Sequence, residues 1–316
     1  MNFVFSMDPL STVDIDKNTS FVFMLESQRR GHKVYFLPEG GISRHNGRLF
    51  FSVTEVVAQR VAKKLFIEKR KITLTENKID AVFIRTDPPF DQDYLYHTWL
   101  LDLLPKRIAV INKPSGIRSV NEKLWATQFT SITPRTFVSR RKKDLLNFLN
   151  KEKSVVMKPL NGYGGRGIRP LQRIDSQAVA ILKKATNHWS TDIILQQFLP
   201  EAKDGDKRIL LLNGKPLGAI ARLHAPGKFL NNLDAGGKAF PTTITPRDRE
   251  IIKILKPHLK TLGLYFVGID IIGDYLTEVN VTSPTCLQEM NRFYNVSLEK
   301  KVIDFVEKLT KGKHDT

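Results

Sequence analysis

The chain has 316 residues, of which 41% are hydrophobic and 26% are charged. This ordinary globular composition argues against a disordered, collagen-like or disulfide-stapled protein. Basic residues number 50 and acidic residues 32, so the formal net charge is +18. At roughly 150 residues per domain, the length predicts about two domains, or three small ones.

Cysteine count and hydropathy narrow the class of protein further. The single cysteine, Cys286, excludes an intramolecular disulfide and a multi-cysteine zinc site. No apolar run approaches the length that spans a bilayer, and Asp8 comes too early for a signal peptide. We therefore expect a soluble cytoplasmic protein without a membrane partner.

The high positive charge makes nucleic acid the first anionic partner to consider. The basic residues, however, form short clusters along the whole chain, such as 69–71, 140–143 and 183–184, with no long basic tail. Lysines on solvated helix surfaces account for that distribution, so we predict no nucleic-acid partner. The alternative, a non-enzymatic nucleic-acid binder, predicts an affinity that falls steeply with salt.

Strand and helix patterns alternate in the first third of the chain. Strands are predicted at 3–5, 33–37, 79–84 and 108–111, and helices at 21–30 and 91–104. Asn18, Thr19 and Ser20 supply N-cap residues for the first helix, and Gly31 supplies its stop. Strands separated by helices predict parallel βαβ units, and we place this open α/β domain at residues 1–120.

The remainder of the chain carries a different pattern, in which several strands follow one another directly. Strands are predicted at 154–158, 168–171, 193–195, 208–212 and 215–223, a hairpin at 264–272 and 276–281, and helices at 145–150, 176–185, 246–262 and from Ser297 onward. We divide this part into a small domain over residues 121–200 and a C-terminal domain over residues 201–316.

A glycine-rich segment, residues 161–167, separates two of these predicted strands. Its glycines at 162, 164 and 167 match G-x-G-x-x-G, but Pro170 would break the helix that a dinucleotide fingerprint needs. No Gly-Lys-Ser/Thr closes the segment, which excludes a Walker A loop. A glycine loop between two strands can instead cover a triphosphate with its backbone N–H groups. A mobile hairpin turn is the alternative.

Two lysines favour the phosphate interpretation. Lys158 ends the strand before the loop, where a cation can meet an α- or β-phosphate, and Lys123 is a second candidate upstream. A solvated surface position without a ligand is the alternative for each lysine. The case for this alternative is stronger for Lys123 than for Lys158.

The predicted hairpin carries three oxygen-bearing side chains, Asp270, Glu278 and Asn280. Residues two apart in a strand share a face, so Glu278 and Asn280 point to the same side. A two-residue turn at 273–274 would place Asp270 on the opposite face, whereas a three-residue loop through Tyr275 with a bulge would pair it with Glu278. We predict the second arrangement, which groups all three side chains.

Placing these three side chains together on a buried face costs free energy, and that cost indicates that a ligand neutralises them. Carboxylates on a buried face are unfavourable unless they are neutralised, and Mg²⁺ held together with phosphate oxygens would neutralise them. A solvated hairpin face is the alternative, but the apolar residues on both sides argue against it.

A glycine loop with a strand lysine, a second lysine upstream and a late Asp…Glu-x-Asn hairpin resemble the ATP-grasp pattern. Further motifs resemble the bacterial glutathione synthetase family: Met7-Asp8-Pro9, Arg85-Thr86-Asp87-Pro88-Pro89-Phe90-Asp91, Asn112-Lys113-Pro114, Asn121-Glu122-Lys123, Lys158-Pro159-Leu160, Asp204-Gly205-Asp206-Lys207-Arg208, Asp234-Ala235-Gly236-Gly237, Val267-Gly268-Ile269-Asp270-Ile271-Ile272-Gly273-Asp274 and Thr277-Glu278-Val279-Asn280-Val281-Thr282-Ser283-Pro284-Thr285. The resemblance implies an α/β (α+β) protein, an ATP-grasp fold preceded by an N-terminal Rossmann-like open α/β domain.

The same resemblance implies an activity and its partners. ATP would phosphorylate a carboxylate of γ-glutamylcysteine, the amine of glycine would attack the acyl phosphate, and glutathione, ADP and phosphate would leave. Mg²⁺, with Mn²⁺ as an alternative, would be the metal. The small-molecule partners would be ATP, γ-glutamylcysteine and glycine, and the chain would form a homo-oligomer, either a homotetramer or a dimer.

By motif position, the resemblance also implies roles for single residues. The ATP site would comprise Lys123 and Lys158 on the phosphates, Gly162, Gly164, Gly165 and Gly167 above them, Gln196, Gln197, Phe198 and Leu199 as the adenine hinge, and Asp206 near the ribose. The metal ligands would be Asp270, Glu278 and Asn280. Catalysis would depend on Arg208 and Arg222, which stabilise the transferred phosphoryl group and the acyl phosphate. The substrate site would comprise Arg85 on a dipeptide carboxylate, Asp87, Gly236, Gly237, and Ser283 with Thr285 on the glycine side.

One segment departs from the family pattern. After Arg222 the family has a mobile lid, but Lys228 and Leu230 stand where a glutamate and an arginine are expected. Lys238 and Phe240 replace an arginine and a glutamate just beyond it. A lid excludes water from a reactive acyl phosphate, so we expect intact phosphorylation with an altered second substrate or turnover rate.

Two further readings stay open. Another ATP-grasp carboxylate–amine ligase with a different amine acceptor is the alternative function. A nucleotide-binding protein that has lost catalysis is the other.

Overall fold

The structure is a computed structural model that describes residues 1–224 and 236–314. Within these residues the chain forms sixteen strands in three sheets, together with eight α-helices. No helix in the same part of the chain combines the length and the apolar character needed to cross a membrane.

The first sheet has seven strands and is mixed. Its strands are β1 Asn2–Ser6, β2 Lys33–Leu37, β3 Ile42–His45, β4 Arg48–Ala58, β5 Phe66–Thr75, β6 Ala81–Ile84 and β7 Ala109–Ile111. Four of them run parallel in the order β2-β1-β6-β7, whereas β4 is antiparallel to β2, β3 and β5. The helices of this region are α1 Thr19–Arg29, α2 Gln92–Asp102 and α3 Pro114–Arg118.

The parallel half of this sheet confirms the predicted βαβ units. Asn18 caps α1, since its side chain accepts a hydrogen bond of 2.8 Å from the Phe21 N–H. The antiparallel half was not predicted. In β5 all four residues from Glu68 to Lys71 are charged and exposed, so this part of the strand lacks the apolar alternation by which strands are recognised. The Rossmann-like description of the first domain stays a prediction.

The second sheet has four antiparallel strands in the order β10-β9-β11-β8. They are β8 Thr136–Ser139, β9 Val155–Pro159, β10 Arg169–Leu171 and β11 Ile193–Gln197, and the helices are α4 Lys142–Glu152 and α5 Ser176–Ala185. The glycine-rich segment joins β9 to β10, as predicted. The sheet and its two helices share a hydrophobic core that is distinct from the rest.

The third sheet has five antiparallel strands in the order β14-β13-β12-β15-β16. They are β12 Asp206–Leu212, β13 Lys215–Leu223, β14 Lys238–Pro241, β15 Phe266–Ile272 and β16 Tyr275–Asn280, and the helices are α6 Pro246–Thr261, α7 Leu287–Tyr294 and α8 Leu298–His314. Its core is continuous with that of the first sheet, and the rings of Phe23 and Phe266 lie 5.3 Å apart across that contact.

The β15–β16 hairpin has the predicted pairing but not the predicted turn. Asp270 lies opposite Glu278, which confirms the pairing. Ile272 lies opposite Tyr275, so the loop has two residues and the expected three-residue loop is wrong. The extra residue is Thr277, which bulges from the strand and donates a hydrogen bond of 3.1 Å to the Asp270 carbonyl. Gly273 permits the tight turn with a φ of 54°.

A buried amide joins the first and third sheets. The Asn112 Oδ1 accepts a hydrogen bond of 2.7 Å from the Phe266 N–H. Its Nδ2 donates to the carbonyls of Phe266 and Val281, each at 2.8 Å. Asn112 follows β7, so this side chain fixes the first sheet against the start of β15 and the end of β16.

Replacing Asn112 with alanine is expected to destabilise the protein. Asn112→Ala leaves three buried backbone groups without their partner, and the free energy of unfolding should fall by about 2–3 kcal/mol. Urea unfolding followed by circular dichroism measures this change. Asn150→Ala, at an exposed position at the end of α4, is the matched control, and an equal loss in both variants would contradict the role given to Asn112.

Candidate active site

Two adjoining cavities lie against one face of the third sheet. The first has a volume of about 90 Å³, and residues of the second and third sheets line it together. The second has a volume of about 170 Å³. Glu278 lines both, so the two cavities meet at the hairpin.

The first cavity brings together most of the residues expected in the ATP site. Its lining includes Lys158, Gly165, Gln196, Gln197, Phe198, Leu199, Asp206, Asp270 and Glu278. Lys158 is buried on β9, and its Nζ donates a hydrogen bond of 2.8 Å to the Gln196 Oε1. Burial lowers the pKa of Lys158, because the desolvated ammonium is disfavoured. An anion bound beside Lys158 would raise this pKa again, because it would stabilise the ammonium.

The glycine loop spans both cavities, since Gly165 lines the first while Tyr163 and Gly164 line the second. Two positions require glycine for space. A Cβ at Gly162 would lie 2.9 Å from the Arg166 carbonyl oxygen. At Gly167, where φ is 78°, a Cβ would lie 2.7 Å from the Pro159 Cγ.

Lys123 links the glycine loop to the hairpin. Its ammonium hydrogen-bonds to the Gly162 carbonyl and forms an ion pair of 3.2 Å with the Glu278 Oε1. The Lys123 side chain is buried. The alternative of a solvated surface position is therefore wrong for Lys123.

Two arginines and two aspartates form a buried ion-pair cluster in the third sheet, named here the arginine–aspartate cluster: Asp206, Arg208, Arg222 and Asp270. The Arg208 Nε and Nη2 both donate to Asp270, the latter at 2.8 Å. The Arg222 Nη2 lies 3.0 Å from the Asp270 Oδ2. Arg222 also donates to both oxygens of Asp206, at 2.8 and 2.7 Å.

This cluster controls the charge state of its central carboxylate. Burial alone would raise the pKa of Asp270, but the guanidiniums of Arg208 and Arg222 hold it well below its usual range. Asp270 is therefore ionised at neutral pH. The two arginines keep their charge beside it, ready to meet an anion in the cavities.

The hairpin side chains expected to bind metal do share one face. Asp270 lies opposite Glu278 in the strand pairing, and the Asn280 Nδ2 is 3.3 Å from the Asp270 Oδ2. In the described part of the chain no group of three or more His, Cys, Asp and Glu side chains could hold a metal ion. Two carboxylates and an amide are oxygen donors that suit a hard divalent cation, provided that a phosphate-bearing ligand supplies further oxygens.

The second cavity receives several residues expected at the substrate site. Its lining includes Asp87, Arg208, Arg222, Asn280, Ser283 and Thr285. The Ser283 hydroxyl donates a hydrogen bond to the Asp87 carboxylate. Asp87 in turn donates its N–H to the Asp8 Oδ2 at 2.9 Å.

Other expected substrate residues lie elsewhere. Arg85 is buried behind the cavity wall, where its Nε and Nη2 donate to the Ser20 hydroxyl and the Pro284 carbonyl, both at 2.9 Å. Its Nη1 has no partner among the described residues, and burial lowers the pKa of Arg85 to about 10. Gly236 and Gly237 precede β14 and are not among the described residues that line the two cavities.

Of the four positions that depart from the family pattern, two lie among the described residues and two do not. Lys228 and Leu230 lie outside the described residues. Lys238 and Phe240 are exposed on β14, where they lie opposite Leu223 and Ala221.

Glu122 lines the second cavity although the sequence predicted no role for it. It stands in the Asn121-Glu122-Lys123 motif, in which only Lys123 was expected to contact a ligand. The Glu122 Oε1 accepts hydrogen bonds from the N–H groups of Val281 and Thr282, at 2.8 and 3.2 Å, and from the Thr282 hydroxyl at 3.0 Å. About 160 residues separate the partners, so no local spacing could have indicated the contact.

Similarity to solved structures defines the class of fold. The structure of the ATP-grasp ligase PsnB complexed with minimal precursor has a TM-score of 0.65 at 14% identity, over 97% of this chain and 98% of that one. D-alanine–D-alanine ligase from Bacillus anthracis, complexed with ATP, has a TM-score of 0.61 at 14% identity, over 99% of both chains. The chain thus has an ATP-grasp fold, as predicted.

Sequence similarity defines the family. Residues 1–118 match the N-terminal domain of prokaryotic glutathione synthetase, and residues 122–295 match its ATP-grasp domain. Glutathione synthetase of Synechocystis sp. is 41% identical over 98% of this chain and 99% of its own length. That of Vibrio cholerae is 36% identical over 97% of both. The chain belongs to the prokaryotic glutathione synthetase family.

Neutralising Asp270 is expected to destabilise the site. Asp270→Asn leaves Arg208 and part of Arg222 buried without a counter-charge, and breaking such a pair costs about 3 kcal/mol of folding free energy. Urea unfolding measures the loss. Asp274→Asn in the exposed turn of the same hairpin is the matched control. Equal stability of the two variants would show that the cluster does not depend on the Asp270 charge.

Proposed function

We propose that the protein ligates γ-glutamylcysteine and glycine to glutathione: ATP transfers its γ-phosphoryl group to a carboxylate of the dipeptide, which leaves ADP, and attack by the glycine amine on the acyl phosphate releases phosphate. Four buried cations carry the proposal: Lys158, Arg208 and Arg222 line the two cavities, and Lys123 forms an ion pair with Glu278, where the cavities meet. Phosphoryl transfer needs cations around the transferred oxygens and little covalent help from the protein.

The first cavity would hold the nucleotide. Gln197, Phe198 and Leu199 would contact the adenine, and Asp206 would lie near the ribose. Lys123 and Lys158 would bind the phosphates, which restores the charge that burial disfavours at Lys158. The glycine loop, with Gly162, Gly164, Gly165 and Gly167, would cover the phosphates, and its place across both cavities supports that assignment.

The junction of the cavities would be the site of transfer. Asp270, Glu278 and Asn280 would hold Mg²⁺ or Mn²⁺, which would offset phosphate charge when bound. Asp270 would be one of the carboxylates that hold the metal, and Arg208 and Arg222, held in place by their aspartate partners, would offer their remaining N–H groups to the phosphoryl oxygens. Because these donors are already fixed, little reorganisation is needed at the moment of transfer.

The second cavity would hold the dipeptide and the amine acceptor. Ser283 and Thr285 line it and would lie on the glycine side, and Asp87 would contact the dipeptide. Arg85 lies behind the wall of this cavity, where it holds the Pro284 carbonyl, and its Nη1 would reach a dipeptide carboxylate only if that wall moved. Gly236 and Gly237 would reach the substrates from the segment before β14.

Three further properties belong to the same proposal. The protein would form a homo-oligomer and would be located in the cytoplasm. Its domains would lie at residues 1–120, 121–200 and 201–316.

ADP release tests the proposed reaction directly. With ATP and Mg²⁺, we expect ADP release that requires γ-glutamylcysteine and rises strongly when glycine is added, with glutathione as the product. The lid differences motivate a parallel set of other amines, since a larger rise with one of them would favour the alternative ligase. Absence of any release that depends on γ-glutamylcysteine would contradict the proposal.

The role of Lys158 can be tested separately. Lys158→Met removes one charged hydrogen-bond donor to phosphate, so kcat/KM for ATP should fall about 10- to 100-fold. Steady-state ADP release at varied ATP measures this. Lys184→Met, at an exposed position on α5, is the matched control and should keep the kinetics of the wild type. A normal kcat/KM in the Lys158 variant would remove Lys158 from the nucleotide site.

A further inference from the structure

Glu122 places a carboxylate in the wall of the second cavity. One oxygen, Oε1, accepts three hydrogen bonds, all from neutral groups of Val281 and Thr282. The other oxygen, Oε2, accepts none from the described residues. Burial raises the pKa of Glu122, which reflects how costly its ionised form is in this environment.

Three carboxylates near Glu122 differ from it in one respect, since each of them has a cationic partner. Asp206 and Asp270 pair with arginines, and Glu278 pairs with Lys123. In residues 1–224 and 236–312 no ion pair involves Glu122. A buried carboxylate without a counter-charge is strongly unfavourable, so a cationic group of a ligand would relieve it.

The position of Glu122 is fixed from several sides. Its hydrogen bonds hold the first residues of the segment 281–285, which carries Ser283 and Thr285. Asn112 holds the carbonyl of the same Val281 from the first sheet. The carboxylate is therefore part of a rigid wall in the cavity that also contains Arg208 and Arg222.

The charge of the acceptor matches this arrangement. An α-amino acid arrives with an ammonium group, and the arginines at the junction would repel that group. A carboxylate with a free oxygen would hold the ammonium near the junction and offset the repulsion, and the nitrogen would attack once this ammonium has lost a proton to solvent. Asp87 and Glu278 are the other carboxylates that line this cavity, but Glu278 pairs with Lys123, and Asp87 receives the Ser283 hydroxyl and also borders a third cavity.

We propose that the Oε2 of Glu122 binds the ammonium group of the amine acceptor and so selects acceptors that carry one. The inference rests on the proposed ligase function and adds a specificity-determining residue to it. It also assigns the two oxygens different tasks, since Oε1 positions the segment 281–285 and Oε2 meets the substrate.

Glu122→Gln separates these two tasks. The amide oxygen can replace Oε1 and keep its three hydrogen bonds, whereas the NH₂ group that replaces Oε2 cannot accept from an ammonium. ADP release is measured with ATP, γ-glutamylcysteine and either glycine or hydroxylamine, a nucleophile that is uncharged at neutral pH. We expect the ratio of kcat/KM for glycine to that for hydroxylamine to fall about 10- to 100-fold, mainly through KM for glycine.

Two control variants distinguish recognition from structure. Thr282→Val removes one donor to Oε1 but leaves the carboxylate, so it should affect both nucleophiles alike and leave the ratio unchanged. Glu250→Gln makes the same chemical change at an exposed position on α6 and should match the wild type. If Glu122→Gln loses activity with both nucleophiles, the ratio is measured in Glu122→Asp, where the shortened side chain withdraws the carboxylate and should also lower it.

The outcomes separate this inference from the function on which it rests. An unchanged ratio in the Glu122 variants, with an active wild type, overturns the acceptor role alone. A wild type that releases no ADP with γ-glutamylcysteine and either nucleophile overturns the ligase function itself. A lower ratio confined to the Glu122 variants supports the inference.

Discussion

The arginine–aspartate cluster is the interaction on which the site depends. Its four members come from three adjacent strands of the third sheet, and both strong pairs are direct cross-strand neighbours: Asp206 lies opposite Arg222, and Arg208 lies opposite Asp270. Such a group is stable in a protein interior only because each charge has a partner at hydrogen-bond distance. The sheet thus keeps two guanidiniums desolvated and charged where a triphosphate would need them.

The strand register makes this cluster and the proposed metal site possible together. A shift of one residue along a strand moves every side chain to the opposite face. The bulge at Thr277 compensates for the two-residue turn and returns Glu278 to the face of Asp270. The sequence could predict the pairing, because three oxygen ligands are useful only on one side. It could not predict how the pairing is reached, because a third loop residue and a one-residue bulge shift the register of β16 by the same amount.

Local patterns in the sequence were sufficient for much of the rest. Apolar periodicity and cap residues located α1 and the strands around the glycine loop, and motif resemblance identified the ATP-grasp fold. Contacts between distant segments were not accessible in this way. The segment 281–285 accepts hydrogen bonds from Arg85 and Asn112 and donates hydrogen bonds to Glu122, and these three residues lie in separate parts of the first half of the chain. Only the folded chain shows that one short segment organises all of them.

The separate core of the second sheet affects the free energy at which this sheet and its helices can unfold locally. Leu149, Val155 and Leu195 pack with one another and not with the cores of the other sheets. Such a unit can open or unfold cooperatively at a lower free energy than the whole molecule, so its amides should exchange with solvent before those of the third sheet. A nucleotide held by Lys158 on one side and by the hairpin on the other would bridge the two units and slow that exchange. The catalytic cleft is therefore also the boundary between two cooperative units of folding.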